Sequence, residues 1–369
     1  MKPEKSQQSD LLPIHSPVQR LFAEHYLLVT LLSFAASVTL TRLFLNLTGF
    51  PQIGRGELHI AHVLWGGLLL FAAALFPLIL ANRWALDASA FLSGVGVGLF
   101  IDEVGKFITT QNNYFFPAAA PIIYAFFLIT ILVYFLVRRA GKTNPRRSIY
   151  LALEQLEDVV DHDLSKGEKE QILQFLKDIP AQSLTPDVAG LAAALSRYLR
   201  SRKIKLAPPR LVWWQKIENK WLDFEKRAFS RSAHRTFIMA GVFLWGAWAI
   251  THSLLSWSLS LSQTALPGLA SELINNRLPL TASGIGLAEA RVGLEVLAGV
   301  LLLFACTLFV FRKERIALQL SVVTLLFSIS VIYLLVFYYE QFSSIFYISI
   351  QFLLLMMILR YRVRFLPNP

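Results

Sequence analysis

The sequence predicts an all-α polytopic membrane protein with about eight transmembrane helices. Hydrophobic residues make up 55% of the 369-residue chain and charged residues only 16%, well below the roughly 25% of charged residues that is usual in soluble domains. The apolar residues are grouped in runs of the length that crosses the hydrocarbon core of a bilayer. These runs lie at about 26–47, 59–80, 85–108 and 117–137, and again at 237–259, 287–311, 316–338 and 342–359.

Basic residues between the runs predict the orientation of the helices. Arg83 and the stretches 138–147, 312–315 and 360–364 fall on one side, together with the basic residues of the N-terminal tail. Cytoplasmic loops carry the excess of Lys and Arg in membrane proteins. We therefore expect a plasma-membrane protein with both termini in the cytoplasm, and the net charge of +11 is explained without a nucleic-acid partner.

The composition changes abruptly after the fourth run, which predicts a helical cytoplasmic insert. Within it, 149–160, 169–179 and 187–199 have apolar residues at helical spacing. The segment 208–230 mixes Trp with Lys and Arg, as in a helix that lies in the headgroup layer, although packing on the insert is equally consistent. The protein partner of such an insert is unknown. The predicted divisions are a tail 1–25, a bundle 26–137, the insert 138–235, a bundle 236–364 and a tail 365–369.

The two bundles resemble each other in sequence. Residues 66–76, GGLLLFAAALF, are similar to residues 298–309, AGVLLLFACTLF. Four copied helices predict two parallel repeats related by an axis along the membrane normal, although such apolar similarity also arises by chance. The alignment pairs His62 with Glu295, and it pairs the charged residues of the third run with apolar or aromatic ones. We interpret this as loss of charge from the second copy, which favours a functional site in the first.

The candidate site is a set of ionisable residues near the predicted outer ends of the first three runs. Such groups are costly within a membrane and normally face a bundle interior or an aqueous cavity. On the third run, Gly94, Gly98, Asp102 and Lys106 follow one helical stripe, with the two glycines permitting close helix contact. The set comprises Arg42, Glu57, His59, His62, Asp102, Glu103 and Lys106.

Each of these residues has more than one interpretation. Asp102 and Lys106 most simply form a local ion pair, and Arg42 is alternatively a counter-charge for a carboxylate. His59 and His62 share a helical face and form either a hydrogen-bonding pair or half of a metal site. With His252 and an acidic residue they would complete a site for a divalent metal such as Zn.

The leading hypothesis is an outward-facing pocket that binds, and modifies or hydrolyses, a lipid headgroup or a similar amphiphile. Glu103 would act as the general base beside Asp102, the second predicted catalytic residue. Arg42, Lys106 and Glu57 would bind the substrate. One alternative is a transporter or channel with Asp102 or Glu103 as the ion or proton site. Another is a scaffold that docks a partner through the insert.

The region around the third run carries a recognisable pattern. The His59/His62 pair at the start of one helix is followed by GxGxGLxxDE at Gly94–Glu103 and by the stretch 112–115 before Pro117. In these features the chain resembles a group of functionally uncharacterised bacterial integral membrane proteins. The resemblance covers mainly residues 55–137. It implies a location for the site and no known activity.

Overall fold

A computed structural model describes residues 17–49, 61–139, 145–177, 186–201, 204–207, 220, 230–263 and 282–366. Eight helices in these ranges are long and apolar enough to cross a membrane, which confirms the predicted all-α polytopic fold. Glu57, His59 and nearly all of the segment 208–230 lie outside the described residues, so the predictions made for them stay predictions.

The first four candidate membrane helices differ from the predicted runs mainly at the end of the third. That run is predicted to continue to residue 108, whereas the helix ends at Asp102. The backbone of Glu103 (φ −90°, ψ 8°) leaves the helical path before a short further helix begins. The elements are α1 (Ala23–Thr48), α2 (His62–Ile79), α3 (Arg83–Asp102), the short α4 (Val104–Ile108) and α5 (Ala119–Arg139).

The insert forms short helices around a small apolar core, with Leu164, Ile172 and Leu199 fully buried. The predicted helix 149–160 is divided in two. Ser165 and Glu168 form a reciprocal capping box: Ser165 N donates to Glu168 Oε2 at 2.9 Å and Glu168 N donates to Ser165 Oγ at 3.3 Å. The elements are α6 (Pro145–Glu154), α7 (Glu157–Val160), α8 (Lys166–Lys177) and α9 (Pro186–Arg200).

The last four candidate membrane helices include one with an irregular centre. The seventh is interrupted by a π-helical segment, Ser328–Ile332, and is followed by a 3₁₀ turn, Gln341–Ser344. The elements are α10 (Arg231–Gln263), α11 (Ala282–Val310), α12 (Glu314–Phe327), α13 (Tyr333–Glu340) and α14 (Ile345–Phe365).

The chain divides into two compact units. The first comprises the described residues of 1–36, 68–96 and 130–218, so it joins parts of α1, α2, α3 and α5 to the insert. Arg83 Nη1 donates to Asp158 Oδ2 at 2.6 Å across this unit. A Cβ added at Gly94 would lie 2.3 Å from the carbonyl oxygen of Thr30. This confirms that Gly94 permits close contact between α1 and α3.

The second unit comprises the described residues of 37–67, 97–129 and 219–369. Ile238, Leu302, Phe309 and Ile358 lie in its buried core, which α10, α11, α12 and α14 form together. At the crossing of α10 and α11, a Cβ on Gly299 would lie 2.8 Å from the carbonyl oxygen of Gly246, so small residues set this distance. The repeat relationship between the two bundles stays a prediction.

Candidate functional site

Asp102, the last residue of α3, is the centre of a buried polar cluster in the second unit. Its Oδ1 accepts a hydrogen bond from Arg42 Nε. Its Oδ2 accepts one from the Tyr114 hydroxyl at 2.5 Å and lies 3.1 Å from His62 Nε2. Its main-chain oxygen accepts from Arg42 Nη2 at 3.1 Å. The Asp102 side chain is 0% exposed, and each of its oxygens has a partner, which a buried charge requires.

Glu103, which lies in the turn after α3, is oriented differently. Its Oε1 lies 3.0 Å from His62 Nδ1 and 3.4 Å from Lys106 Nζ, and the side chain is 2% exposed. Neither contact has hydrogen-bond geometry, so within the described residues Oε1 accepts no hydrogen bond. The predicted local pair of Asp102 with Lys106 is therefore wrong. The helix stops at Asp102, and Lys106 faces Glu103 instead.

His62, the first residue of α2, lies between the two carboxylates. Its Nε2 faces Asp102 at 3.1 Å and its Nδ1 faces Glu103 at 3.0 Å. A neutral imidazole has one donor and one acceptor nitrogen, so only the protonated ring can donate to both sides. The Asp102 side of the ring is at hydrogen-bond distance with hydrogen-bond geometry, whereas the Glu103 side is an ion-pair contact only.

Arg42 is enclosed by two aromatic rings in addition to its carboxylate partner. Its guanidinium carbon lies 4.2 Å from the ring centre of Tyr114 and 4.1 Å from that of Phe342, distances at which cation–π attraction is favourable. Phe342 comes from the 3₁₀ turn between α13 and α14. The neighbouring Gln341 Nε2 donates to the carbonyl oxygen of Phe115 at 3.1 Å. Residues of the second bundle therefore close this cluster.

The loop after α4 contributes Tyr114, which the list of candidate site residues omits. The loop comes close to α4 at Gly105, where an added Cβ would lie 2.8 Å from the carbonyl oxygen of Asn113. Burial, and then the negative charge of Asp102, raise the pKa of Tyr114 above its ordinary value, so the phenol stays protonated and donates to Asp102. Its position in the stretch 112–115 was the available sequence signal. We call Arg42, His62, Asp102, Glu103, Lys106 and Tyr114 the first cluster.

A second cluster, formed by Ser253, Arg291, Glu295 and Glu340, lies in the same unit. Arg291 Nε donates to Glu295 Oε1 at 3.0 Å, and Arg291 Nη2 donates to Glu340 Oε1. Ser253 Oγ donates to Glu295 Oε2. The second bundle therefore contains an ion-pair cluster of its own, and the interpretation that it has lost most of its charge relative to the first stays a prediction. A readable signal existed, because Arg291 and Glu295 are four residues apart in an apolar run.

The second cluster borders a partly open cleft. One wall is a stack of rings in which His252 lies 5.2 Å from Trp248, and Trp248 lies 6.0 Å from Tyr347, between ring centres. The remaining lining includes Trp245, Ser328, Tyr333 and Gln351. The cleft is concave and largely apolar, with a few convergent polar groups, as small-molecule sites usually are.

The structure brings most of the predicted site residues together. Arg42, His62, Asp102, Glu103 and Lys106 form the first cluster, whereas His252 lines the cleft of the second bundle. Across the described ranges, no group of three or more His, Cys, Asp or Glu side chains is arranged to hold a metal ion. The metal site predicted for His59, His62 and His252 stays a prediction, since His59 is outside those ranges.

Comparisons of the chain with protein families, with curated proteins and with solved structures give no match. The class of the molecule therefore rests on its own architecture. With eight candidate spans, it is a multi-pass membrane protein that carries two polar clusters in one unit of its fold.

Proposed function

We propose that the protein binds the anionic headgroup of a lipid or similar amphiphile at the first cluster, on the outer side of the plasma membrane. The proposal is supported by the exposed fractions of the side chains in the cluster. His62 is 22% and Lys106 27% exposed, while the carboxylates of Asp102 and Glu103 behind them are almost fully buried. A ligand that approaches the cluster therefore meets two basic groups first.

Each residue has a distinct role in this proposal. Lys106 contacts an anionic oxygen of the headgroup, and the exposed part of the His62 ring lies beside the headgroup while both ring nitrogens face Asp102 and Glu103. Glu103 exchanges a proton with His62, so the pair supplies general acid–base chemistry if the bound amphiphile is modified. Asp102 orients His62. All the contacts of Arg42 described above are to the protein, and its substrate-binding role stays a prediction.

Binding of short-chain phosphatidylglycerol to the purified protein in phosphatidylcholine nanodiscs tests the proposal. We expect Lys106→Gln to weaken binding about tenfold, which corresponds to roughly 1.4 kcal/mol, and Lys106→Arg to retain most of it. Lys313→Gln, at the start of α12, is the matched control and should bind like the wild type. Equal binding by Lys106→Gln and the wild type would remove the basis of the proposal.

The outward orientation rests on the distribution of Lys and Arg between the helices. Single cysteines at Asn112 and at Lys313, both exposed, would test it in a Cys306→Ala background. A membrane-impermeant maleimide should label position 112 in intact cells and position 313 only after lysis. The reverse pattern would place the first cluster on the cytoplasmic side and both termini outside.

A metal-dependent form of the activity requires His59 in addition to His62. Elemental analysis of the purified protein tests it: about one divalent metal ion per chain in the wild type, lost in the His59→Ala/His62→Ala variant, is the expected result. Absence of metal from both proteins would rule out the metal-dependent form.

A proton or cation carrier is the second candidate function. Glu103 Oε1 favours it, because this buried acceptor has no hydrogen-bond donor among the residues described, and buried carboxylates mark proton pathways in many transporters. Proton flux into liposomes should then disappear in Glu103→Gln and in Asp102→Asn. Flux that is unchanged in both variants would exclude these residues as carriers. A role of the insert in docking a partner stays a prediction, as does kinship with the bacterial membrane proteins that the chain resembles.

A further inference from the structure

The charged side chains beside the cleft of the second bundle are the first feature that indicates a separate binding site. The second cluster has one guanidinium for two carboxylates, since Arg291 pairs with both Glu295 and Glu340. Among the residues that the structure describes in this cluster, the carboxylates therefore outnumber the guanidinium. An excess negative charge beside a partly enclosed space is compensated most directly by a cationic ligand.

Gln351 provides an independent indication of the ligand. Its side chain lines the cleft and is 2% exposed, and its Oε1 accepts no hydrogen bond in the part of the chain that the structure describes. Leaving a buried acceptor without a hydrogen bond is unfavourable. A ligand that donates N–H groups would satisfy it.

The aromatic side chains that line the cleft are also suited to binding a cation. Trp248 and Tyr347 are stacked along one side of the cleft, and Trp245 also lines it. The faces of such rings attract cations, and Trp does so best. The same rings give apolar contact area to a hydrocarbon chain attached to the cation.

The backbone of the seventh membrane helix departs from the α-helix at this cleft. The π-helical segment Ser328–Ile332 carries Ser328, which lines the cleft, and is followed at once by Tyr333, which also lines it. Short π segments within α-helices occur frequently at functional sites. The carbonyl of Ile329, in this segment, accepts a hydrogen bond from the Tyr124 hydroxyl at 2.5 Å.

From these observations we infer that the cleft binds a primary alkylammonium group. The carboxylates of Glu295 and Glu340 and the Oε1 of Gln351 accept from the ammonium, and the aromatic wall covers the adjacent carbon chain. Two sources supply this chemistry, a soluble amine and the ethanolamine headgroup of a membrane lipid. The site is separate from the proposed anionic-headgroup site, which Lys106 and His62 form.

Calorimetric titration of the full chain in phosphatidylcholine nanodiscs, with empty nanodiscs as blank, tests the inference. Hexylamine is the probe and 1-hexanol is its neutral counterpart. We expect saturable hexylamine binding at least about tenfold tighter than that of hexanol. Gln351→Leu, which leaves the ion pairs intact, and Glu340→Gln should each weaken it about tenfold. Phe304→Leu, on the exposed face of α11, is the control and should not change it.

Nanodiscs that contain phosphatidylethanolamine distinguish the two sources. Loss of hexylamine binding in these nanodiscs identifies the lipid headgroup as the occupant, whereas unchanged binding identifies a soluble amine. Equal affinity for hexylamine and hexanol, or wild-type affinity in both cleft variants, would overturn the inference. Neither result would affect the phosphatidylglycerol test of the first cluster.

Discussion

The two polar clusters are connected in opposite ways. In the first, one carboxylate, Asp102, is shared by several donors, including Arg42. In the second, one guanidinium, Arg291, is shared by two carboxylates. The central group of the first is fully enclosed, whereas the second borders an open cleft. The difference indicates that the first cluster fixes the geometry of a few buried groups, while in the second, among the described residues, the carboxylates outnumber the guanidinium at the edge of a cleft.

The largest expected effect is the loss of the central anion of the first cluster. Asp102→Ala leaves Arg42 buried without its carboxylate, and breaking a buried ion pair in this way costs about 3–5 kcal/mol. Thermal unfolding in mild detergent measures the change in stability. Asp87→Ala is the control, since Asp87 pairs with His25 at an exposed site and such pairs contribute about 0–1 kcal/mol. Similar unfolding of the two variants would contradict a central role for Asp102.

Removal of the central cation of the second cluster should have the next largest effect. Arg291→Met leaves Glu295 and Glu340 without a cation between them, and we expect a loss of about 2–3 kcal/mol. The loss is smaller than for Asp102 because Glu340 is 25% exposed, and water can replace part of the lost interaction. Adding Glu340→Gln to Arg291→Met should recover part of the stability. A double variant no more stable than Arg291→Met would show that repulsion between the carboxylates is not the cause.

Tyr114→Phe tests how far the first cluster depends on one neutral donor. The substitution removes the hydroxyl that donates to Asp102 Oδ2 but keeps the ring over Arg42. A hydrogen bond to a charged group contributes about 1.5–3 kcal/mol, and we expect the lower end because His62 still faces the same oxygen. Unfolding measurements compare this variant with Tyr134→Phe, in α5, where the hydroxyl accepts an exposed hydrogen bond from Arg138 Nη1 at 3.3 Å and its loss should cost little. Equal stability of the two would mean that His62 alone suffices for Oδ2.

The smallest effect concerns the contribution of the second bundle to the first cluster. Phe342→Leu removes the ring over Arg42, and we expect a loss of roughly 1 kcal/mol from the cation–π contact. Phe346→Leu, on the exposed side of the adjacent α14, is the matched control. If the two variants unfold alike, Phe342 covers the guanidinium without stabilising it.

Much of the fold was predictable from the sequence because membrane helices have a simple physical signal. Runs of about 20 apolar residues have few alternatives in a bilayer, and the predicted spans agree with the eight observed helices to within a few residues at most ends. The largest differences, of six residues, are at the start of the fifth helix and at the ends of the third and the eighth. The end of the third helix at Asp102 depends on the backbone angles of one residue, Glu103. Apolar periodicity contains no information about such a turn.

The candidate site was predictable in part for a related reason. Charged residues are easily identified within an apolar run, so the sequence predicts Asp102, Glu103 and Lys106 as site residues and offers Arg42 as a counter-charge. The pairing within the set was not predictable, because it depends on the turn at Glu103. The ion pair between Arg291 and Glu340 joins residues 49 apart in sequence, and only tertiary packing brings them together. Tyr114 is an ordinary aromatic residue until the loop folds over Gly105.

The π segment Ser328–Ile332 sets the direction in which the side chains of the following helix, α13, point around the helix axis. Such a segment is equivalent to one extra residue in an α-helix, and each residue turns an α-helix by about 100°. Deletion of one residue there would restore regular winding and would rotate Glu340 about 100° away from Arg291. The contact between Arg291 and Glu340 therefore depends on the extra residue in the seventh helix, about two turns before Glu340.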